Sequence, residues 1–210
     1  MINPGILTFQ EFMSQDPLPL STVQQAVLEF LQGREDVVLF GAQAVNAYVS
    51  EPRMTQDIDL MSIRAKELAE ELCNYLSQRF YIAVRIREVA NGRGYRLFQL
   101  QKAGNRHLVD LRSVERLPSH QRIANLLVMA PAPLIASKVI AYQQRQHQPK
   151  AGTDWRDLAM LLLTFPEFKH NPDTIAEQLR NSNASLEALT FWQLLVTQTI
   201  ELPNDEDEFL

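Results

Sequence analysis

The sequence predicts an α+β chain, with a mixed, twisted sheet covered by helices and followed by a helical carboxy-terminal lobe. Two observations carry this. Up to Pro118, short apolar or alternating runs suited to strands are interspersed with stretches whose apolar residues recur at helical spacing. Beyond Pro118 the pattern is helical, and no internal repeat or low-complexity linker interrupts it. The expected division is residues 1–118 for the α/β core, 119–203 for the helical lobe and 204–210 for an acidic tail.

Taken in order, Ser21 reads as a cap, with Gln24 three residues on, for a helix through Gln32 that Gly33 ends. Strands are expected near Asp36 to Phe40, Asp57 to Ser62, Tyr81 to Val89, Tyr95 to Gln101 and His107 to Val114. Helices are expected at Ala42 to Val49 and Arg64 to Phe80. The turn-rich Asn91-Gly92-Arg93-Gly94 separates the third strand from the fourth. In the second lobe, helical segments lie near Pro131 to His147, Thr153 to Leu163, Asp173 to Asn181 and Ser185 to Ile200. Breaks fall at Pro149, Pro166 to Pro172 and Ser182-Asn183.

The chemistry concentrates in the first lobe. Alternate side chains of a strand share a face about 6.6 Å apart, so Asp57 and Asp59 project together while Ile58 and Leu60 enter the core. Two such carboxylates suit Mg²⁺, which takes hard oxygen ligands and commonly completes its shell with substrate phosphates, here those of a nucleoside triphosphate. Gly41, closing the apolar run Val37 to Phe40, lets the backbone turn sharply. The helix opening after it aims unpaired N–H groups at an anion. An EF-hand loop starting at Asp57 is excluded, since its sixth and twelfth positions hold Ser62 and Leu68 rather than glycine and glutamate. Glycosyltransferase and haloacid-dehalogenase sites place an apolar strand directly before the first aspartate, where this chain has Met54-Thr55-Gln56.

The order of strand, glycine, helix and Asp-x-Asp resembles the nucleotidyltransferase superfamily. The run Arg53-Met54-Thr55-Gln56-Asp57-Ile58-Asp59-Leu60 is similar, position by position, to the Arg-x-Thr-x-Asp-h-Asp-h pattern (h apolar) of its AbiEii-like branch, known for toxins of toxin–antitoxin pairs. The resemblance implies a nucleotidyltransferase-like core, Mg²⁺ or Mn²⁺ as cofactor, a nucleoside triphosphate as substrate and an antitoxin as a partner. It implies nucleotide contacts from Gly41, Ala42, Arg53 and Thr55. Ala42 stands where relatives often carry serine, so only backbone amides serve the phosphate there.

A two-metal phosphoryl-transfer site needs a third carboxylate. Asp110, in the apolar run His107 to Arg112, is the candidate, and the family places its third acid on such a strand. The other reading is an aspartate that ends a strand or pairs with Arg112. Lys138 interrupts the apolar set of the helix from Pro133, and is followed by Arg145 and by Thr153-Asp154-Trp155-Arg156-Asp157-Leu158. In the resembling family such a lysine contacts the triphosphate and a late acid, here Asp157 or Asp154, holds the lysine or activates the acceptor. Without the resemblance, Lys138 reads as a lysine snorkelling from a half-buried helix, and Thr153 or Asp154 as a helix cap.

At 210 residues and 46% hydrophobic, the chain is long enough for a sizeable core. A single cysteine, Cys73, excludes an intramolecular disulfide and reads as a small core residue. The amino terminus lacks a basic region followed by an apolar core, and no apolar run approaches membrane-spanning length, so a cytoplasmic enzyme is expected. The net charge is −5, of which Asp205 to Glu208 supply −4, whereas Arg85 to Arg122 hold nine basic residues against three acidic ones. That basic stretch suits triphosphate or an RNA acceptor, or else protects exposed hairpin strands. The expected activity is transfer of a nucleoside monophosphate to an acceptor hydroxyl on RNA, transfer RNA or protein. A non-catalytic nucleotide- or partner-binding protein and an antibiotic-modifying transferase are the rival readings.

Overall fold

The computed structural model describes residues 18–102 and 104–201. Helix α1 (Leu20–Leu31) buries Val23, Ala26, Val27 and Leu31 along one stripe and is terminated at Gly33, whose φ of +75° few other residues adopt without strain. It begins after Pro19 with no side-chain cap, so Ser21 lies inside the first turn rather than capping it. There follow β1 (Val37–Phe40), α2 (Gly41–Tyr48), β2 (Ile58–Ser62), α3 (Ala65–Phe80), β3 (Val84–Val89), β4 (Gly94–Gln99) and β5 (Arg106–Ser113). Each overlaps the expected element. Tyr81, expected in a strand, instead ends α3 in the left-handed conformation.

Two strands were not expected. β6 (His120–Ile123) and β7 (Leu126–Met129) form a hairpin that joins the sheet, with Leu39 of β1 paired to Val128 in parallel. All four residues of β7 are buried, so it reads as a continuous apolar run with no alternation. Its turn residues, Ala124 and Asn125, both have positive φ, the backbone of a two-residue hairpin without the glycine that usually announces one. The chain consequently divides between Ala130 and Pro131, not at residue 118.

The first unit is built on one mixed sheet of order β3-β4-β5-β2-β1-β7-β6, in which β2–β5 and β1–β7 are parallel and the other pairs antiparallel. On one face Leu97, Leu111, Ile58 and Leu60 are fully buried, with Leu68, Leu72 and Leu76 of α3 supplying the covering layer. Cys73 of α3 is half-buried, and burial pushes its thiol pKa up, as suits a packing residue. Tyr48, at the end of α2, donates to the carbonyl of Met129 in β7 at 2.9 Å, and burial raises its pKa to about 12.

Ahead of β1, Arg34 bonds Asp36 at 2.7 Å and Glu71 at 2.8 Å, and Arg64 reaches the same two carboxylates at 3.3 Å. The Arg34 guanidinium holds the Asp36 carboxyl below its usual range. A depressed carboxylate pKa gives stability that is present above the unfolded value, about 3.9, and lost as pH falls through the folded value. Asp36→Asn is therefore expected to cost about 1 kcal/mol at pH 7, with the difference from wild type shrinking as urea titrations are moved below pH 4.

The second unit consists of α4 (Pro131–Gln144), α5 (Lys150–Thr164), α6 (Glu167–His170), α7 (Asp173–Asn181) and α8 (Leu186–Leu195). α5 opens at Lys150 behind Pro149, three residues before the expected start, so Thr153 and Asp154 lie within the helix and neither caps it. α6 occupies the expected Pro166 to Pro172 break, and Ser185 caps α8 by accepting from the Ala188 amide. The acidic tail lies outside the described residues. Among the described residues no helix is long and apolar enough to cross a membrane.

Candidate active site

The end of β1 fixes the centre of the site. Phe40 is still extended when the chain turns at Gly41, whose φ is +67°, into the first turn of α2. The residue before that helix, Phe40, offers it no side-chain cap. Phe40 is paired with Asp59 across the antiparallel β1–β2 ladder. The Asp59 carboxylate consequently lies against Gly41, where an added Cβ would stand 2.0 Å from Oδ2. Glycine is required here twice, by the backbone angle and by the carboxylate beside it.

Asp57 immediately precedes β2 and lies two residues from Asp59. Its approach is braced from outside the strand. The Thr55 hydroxyl donates to the Asp57 carbonyl at 3.1 Å and Gln24 donates to the Thr55 carbonyl at 2.9 Å. Arg53 is tied to α2 through Asn46, which accepts from its amide at 3.0 Å and donates to its carbonyl at 2.7 Å. Thr55 thus supports the turn that presents Asp57, and Asn46 and Gln24 are supporting residues that the sequence did not announce.

Asp110 is the register partner of Asp59 in the parallel β2–β5 pair, so both side chains leave the same face. Arg96, opposite Asp110 on β4, approaches Asp110 Oδ2 with Nε at 3.3 Å, and this pairing replaces the expected alternative of a bond to Arg112. Arg112 lies instead over the Phe40 ring, 4.7 Å from its centroid.

His107 is a site residue that strict strand alternation hides. Three residues before Asp110, it would face the other way. A bulge at Leu108, between the Leu97–Val109 and Phe98–His107 pairs, rephases β5 and turns the imidazole to the carboxylate face. Its Nδ1 lies 3.1 Å from Asp57 Oδ2, its Nε2 3.2 Å from the Val109 carbonyl, and its ring stacks on Phe98 at 4.9 Å. The bond to Asp57 raises its pKa, against the opposing effect of burial. Both ring nitrogens face acceptors, the arrangement suited to a doubly protonated imidazole.

In the second unit, Lys138 of α4 is buried and bonds Asp157 of α5 at 2.7 Å, with Asp154 at 3.6 Å. Asp154 is also held by Arg145 at 2.7 Å. One turn of α5 thus presents both aspartates to a single lysine, and the snorkelling and capping alternatives both fall away.

The family model for the nucleotidyl transferase AbiEii toxin of Type IV toxin–antitoxin systems matches residues 25–206. The chain belongs to this family. As an AbiEii-family protein it is a transferase of nucleotidyl groups. No curated protein is detectably similar in sequence. Among solved structures, the Megavirus polyadenylate synthase matches with a TM-score of 0.59 at 15% identity over 75% of this chain and 34% of that one. The chain spans about a third of that enzyme's length. JHP933 from Helicobacter pylori matches with a TM-score of 0.52 at 15% identity over 91% and 93% of the two chains. A putative nucleotidyltransferase from H. pylori matches at 0.53 and 14% over 90% and 96%. At these identities the likeness establishes the fold.

Among the described residues no group of three or more His, Cys, Asp or Glu side chains stands ready to hold a metal ion. Asp57 is engaged with His107 and Asp110 with Arg96, while Asp59 lies against Gly41. The donor chemistry still fits a hard divalent cation, because Asp57, Asp59 and Asp110 offer carboxylate oxygens and Mg²⁺ is usually held by one or two of these with substrate phosphates.

Proposed function

We propose that this AbiEii-family protein transfers a nucleoside monophosphate from a nucleoside triphosphate to an acceptor hydroxyl of RNA, transfer RNA or protein, with Mg²⁺ or Mn²⁺ as cofactor. The observation that supports it most is the Asp59 carboxylate seated against Gly41 at the opening of α2, two residues from Asp57. In this reading Asp57, Asp59 and Asp110 would hold the cation, which when bound neutralises triphosphate charge. The leading amides of α2, those of Gly41 and Ala42 among them, cradle the phosphates. Arg53 adds a nucleotide contact and Thr55 keeps Asp57 in place.

The acceptor hydroxyl delivers its proton to the Asp110 carboxylate as its oxygen attacks the α-phosphorus. The bond from that phosphorus to the bridging oxygen breaks, and pyrophosphate leaves. The family resemblance gives such a lysine a triphosphate-contacting role, which this reading carries to Lys138, itself held by Asp157 with Asp154 alongside. The family's association with toxin–antitoxin systems supports a cytoplasmic toxin role with an antitoxin as partner.

The deciding experiment incubates the protein, and its Asp57→Ala/Asp59→Ala variant, with Mg²⁺, each labelled nucleoside triphosphate and a cell extract. Label appearing in RNA or protein with wild type alone is the expected result. Equal labelling by a folded double variant would sink the assignment.

A further inference from the structure

Strand register places a second feature on the carboxylate face. Arg85 and Arg87 of β3 are paired with Phe98 and Arg96 of β4, Arg96 with Asp110 of β5, and Asp110 with Asp59 of β2. Directly paired residues share a face, so these arginines, with Arg112 of β5, line one surface running from the sheet edge to the carboxylates. Arg85, Arg87, Arg96 and Arg112 are all exposed, whereas Glu88 pairs with Tyr95 and leaves the opposite face.

We propose that this open face of β3, β4 and β5 docks a single-stranded nucleic acid acceptor and leads its terminal hydroxyl to Asp110. The proposal rests on the nucleotidyl-transfer reading and names the acceptor class within it. Edge protection requires cations only on β3, but here they continue two strands inward to the acids. Arg87 and Arg96 stand directly opposite each other, a like-charge pairing that weakens a sheet, in a protein of net charge −5. The Asp110 carboxylate offsets that repulsion on the Arg96 side only. The backbone positions of Arg85 and Arg87 are about 6.6 Å apart along β3 and neighbouring strands about 4.8 Å apart, spacings from which long arginine side chains can reach successive phosphates. The half-buried Phe98 and His107 rings leave the same face, stacked on each other, and add an aromatic edge beside the arginines.

The test is fluorescence anisotropy of a labelled single-stranded RNA oligonucleotide with the full chain, without nucleotide, over a range of salt. Wild type is expected to bind with log K falling linearly in log salt. Arg85→Gln/Arg87→Gln is expected to weaken binding several-fold and to reduce the slope by about 1.4, at roughly 0.7 per lost phosphate contact on a single strand. Its melting temperature should equal or exceed that of wild type, and the shift caused by Mg²⁺ with nucleoside triphosphate should match wild type. RNA binding unchanged in the variant, or displaced equally well by polyglutamate at the same charge concentration, would overturn the proposal. The triphosphate shift in wild type reports the transfer reading and the arginine-dependent RNA affinity reports the docking face, so the two fail separately.

Discussion

A Gly41→Ala variant is expected to lose nucleotidyl transfer by about 10²-fold or more and to unfold at lower urea than wild type. Two costs combine in one methyl group. At φ +67° a residue with a Cβ bears about 1–2 kcal/mol of backbone strain, and the Cβ itself would stand 2.0 Å from Asp59 Oδ2 and 2.7 Å from its Cγ. Contacts of that length do not persist, so the Asp59 side chain or the β1–α2 turn must move. A displacement of about 1 Å at a positioned carboxylate is enough for a 10²-fold loss.

The two costs are separable by a double-mutant cycle. Asp59→Gly removes every Asp59 atom that the new Cβ meets, the Asp59 Cβ at 2.8 Å included, but leaves the Gly41 backbone angle unchanged. Gly41→Ala should therefore cost about 1–2 kcal/mol in the Asp59→Gly background and clearly more in wild type, with a coupling of at least about 1 kcal/mol in urea unfolding. Strict additivity would mean that Asp59 is not seated against the glycine.

The Gly41–Asp59 arrangement also shows which parts of the site a sequence carries. The glycine, the helix after it and the Asp-x-Asp spacing are local, and strand alternation alone leads to the expectation that Asp57 and Asp59 share a face, although Asp57 lies just ahead of β2. Asp110 required pairing, because its alignment with Asp59 depends on which strands become neighbours in the sheet. His107 was hidden for a sharper reason. A single bulged residue, Leu108, reverses the phase of β5, and nothing in His107-Leu108-Val109-Asp110 marks where the extra residue sits. The β6–β7 hairpin escaped because a strand buried on both faces has no alternation to read, and its turn uses Ala124-Asn125 instead of a glycine pair. Both of these misses occurred where tertiary pairing, not propensity, chose the conformation.

The second unit offers the largest stability effect and a direct test of what its lysine does. Asp157→Ala is expected to destabilise by about 3 kcal/mol, because it leaves the buried Lys138 ammonium without its 2.7 Å partner. The lower end of the range for broken buried pairs applies, since Asp154 stays 3.6 Å from the same nitrogen. Replacing both members, as Lys138→Met/Asp157→Leu, removes both charges together and should return most of that loss, as exchanges of buried pairs for apolar residues often do. Asp154 keeps its bond to Arg145 in either case.

Stability and activity then part ways. A lysine that only ties α4 to α5 predicts that the double variant recovers both. A lysine that also brings charge to the triphosphate predicts recovered stability with transfer still lost, and a higher KM for the nucleotide in whatever activity persists. We expect the second outcome. A buried cation held by two carboxylates costs desolvation free energy that apolar packing between the same helices would avoid, and a phosphate contact supplies a reason for keeping it.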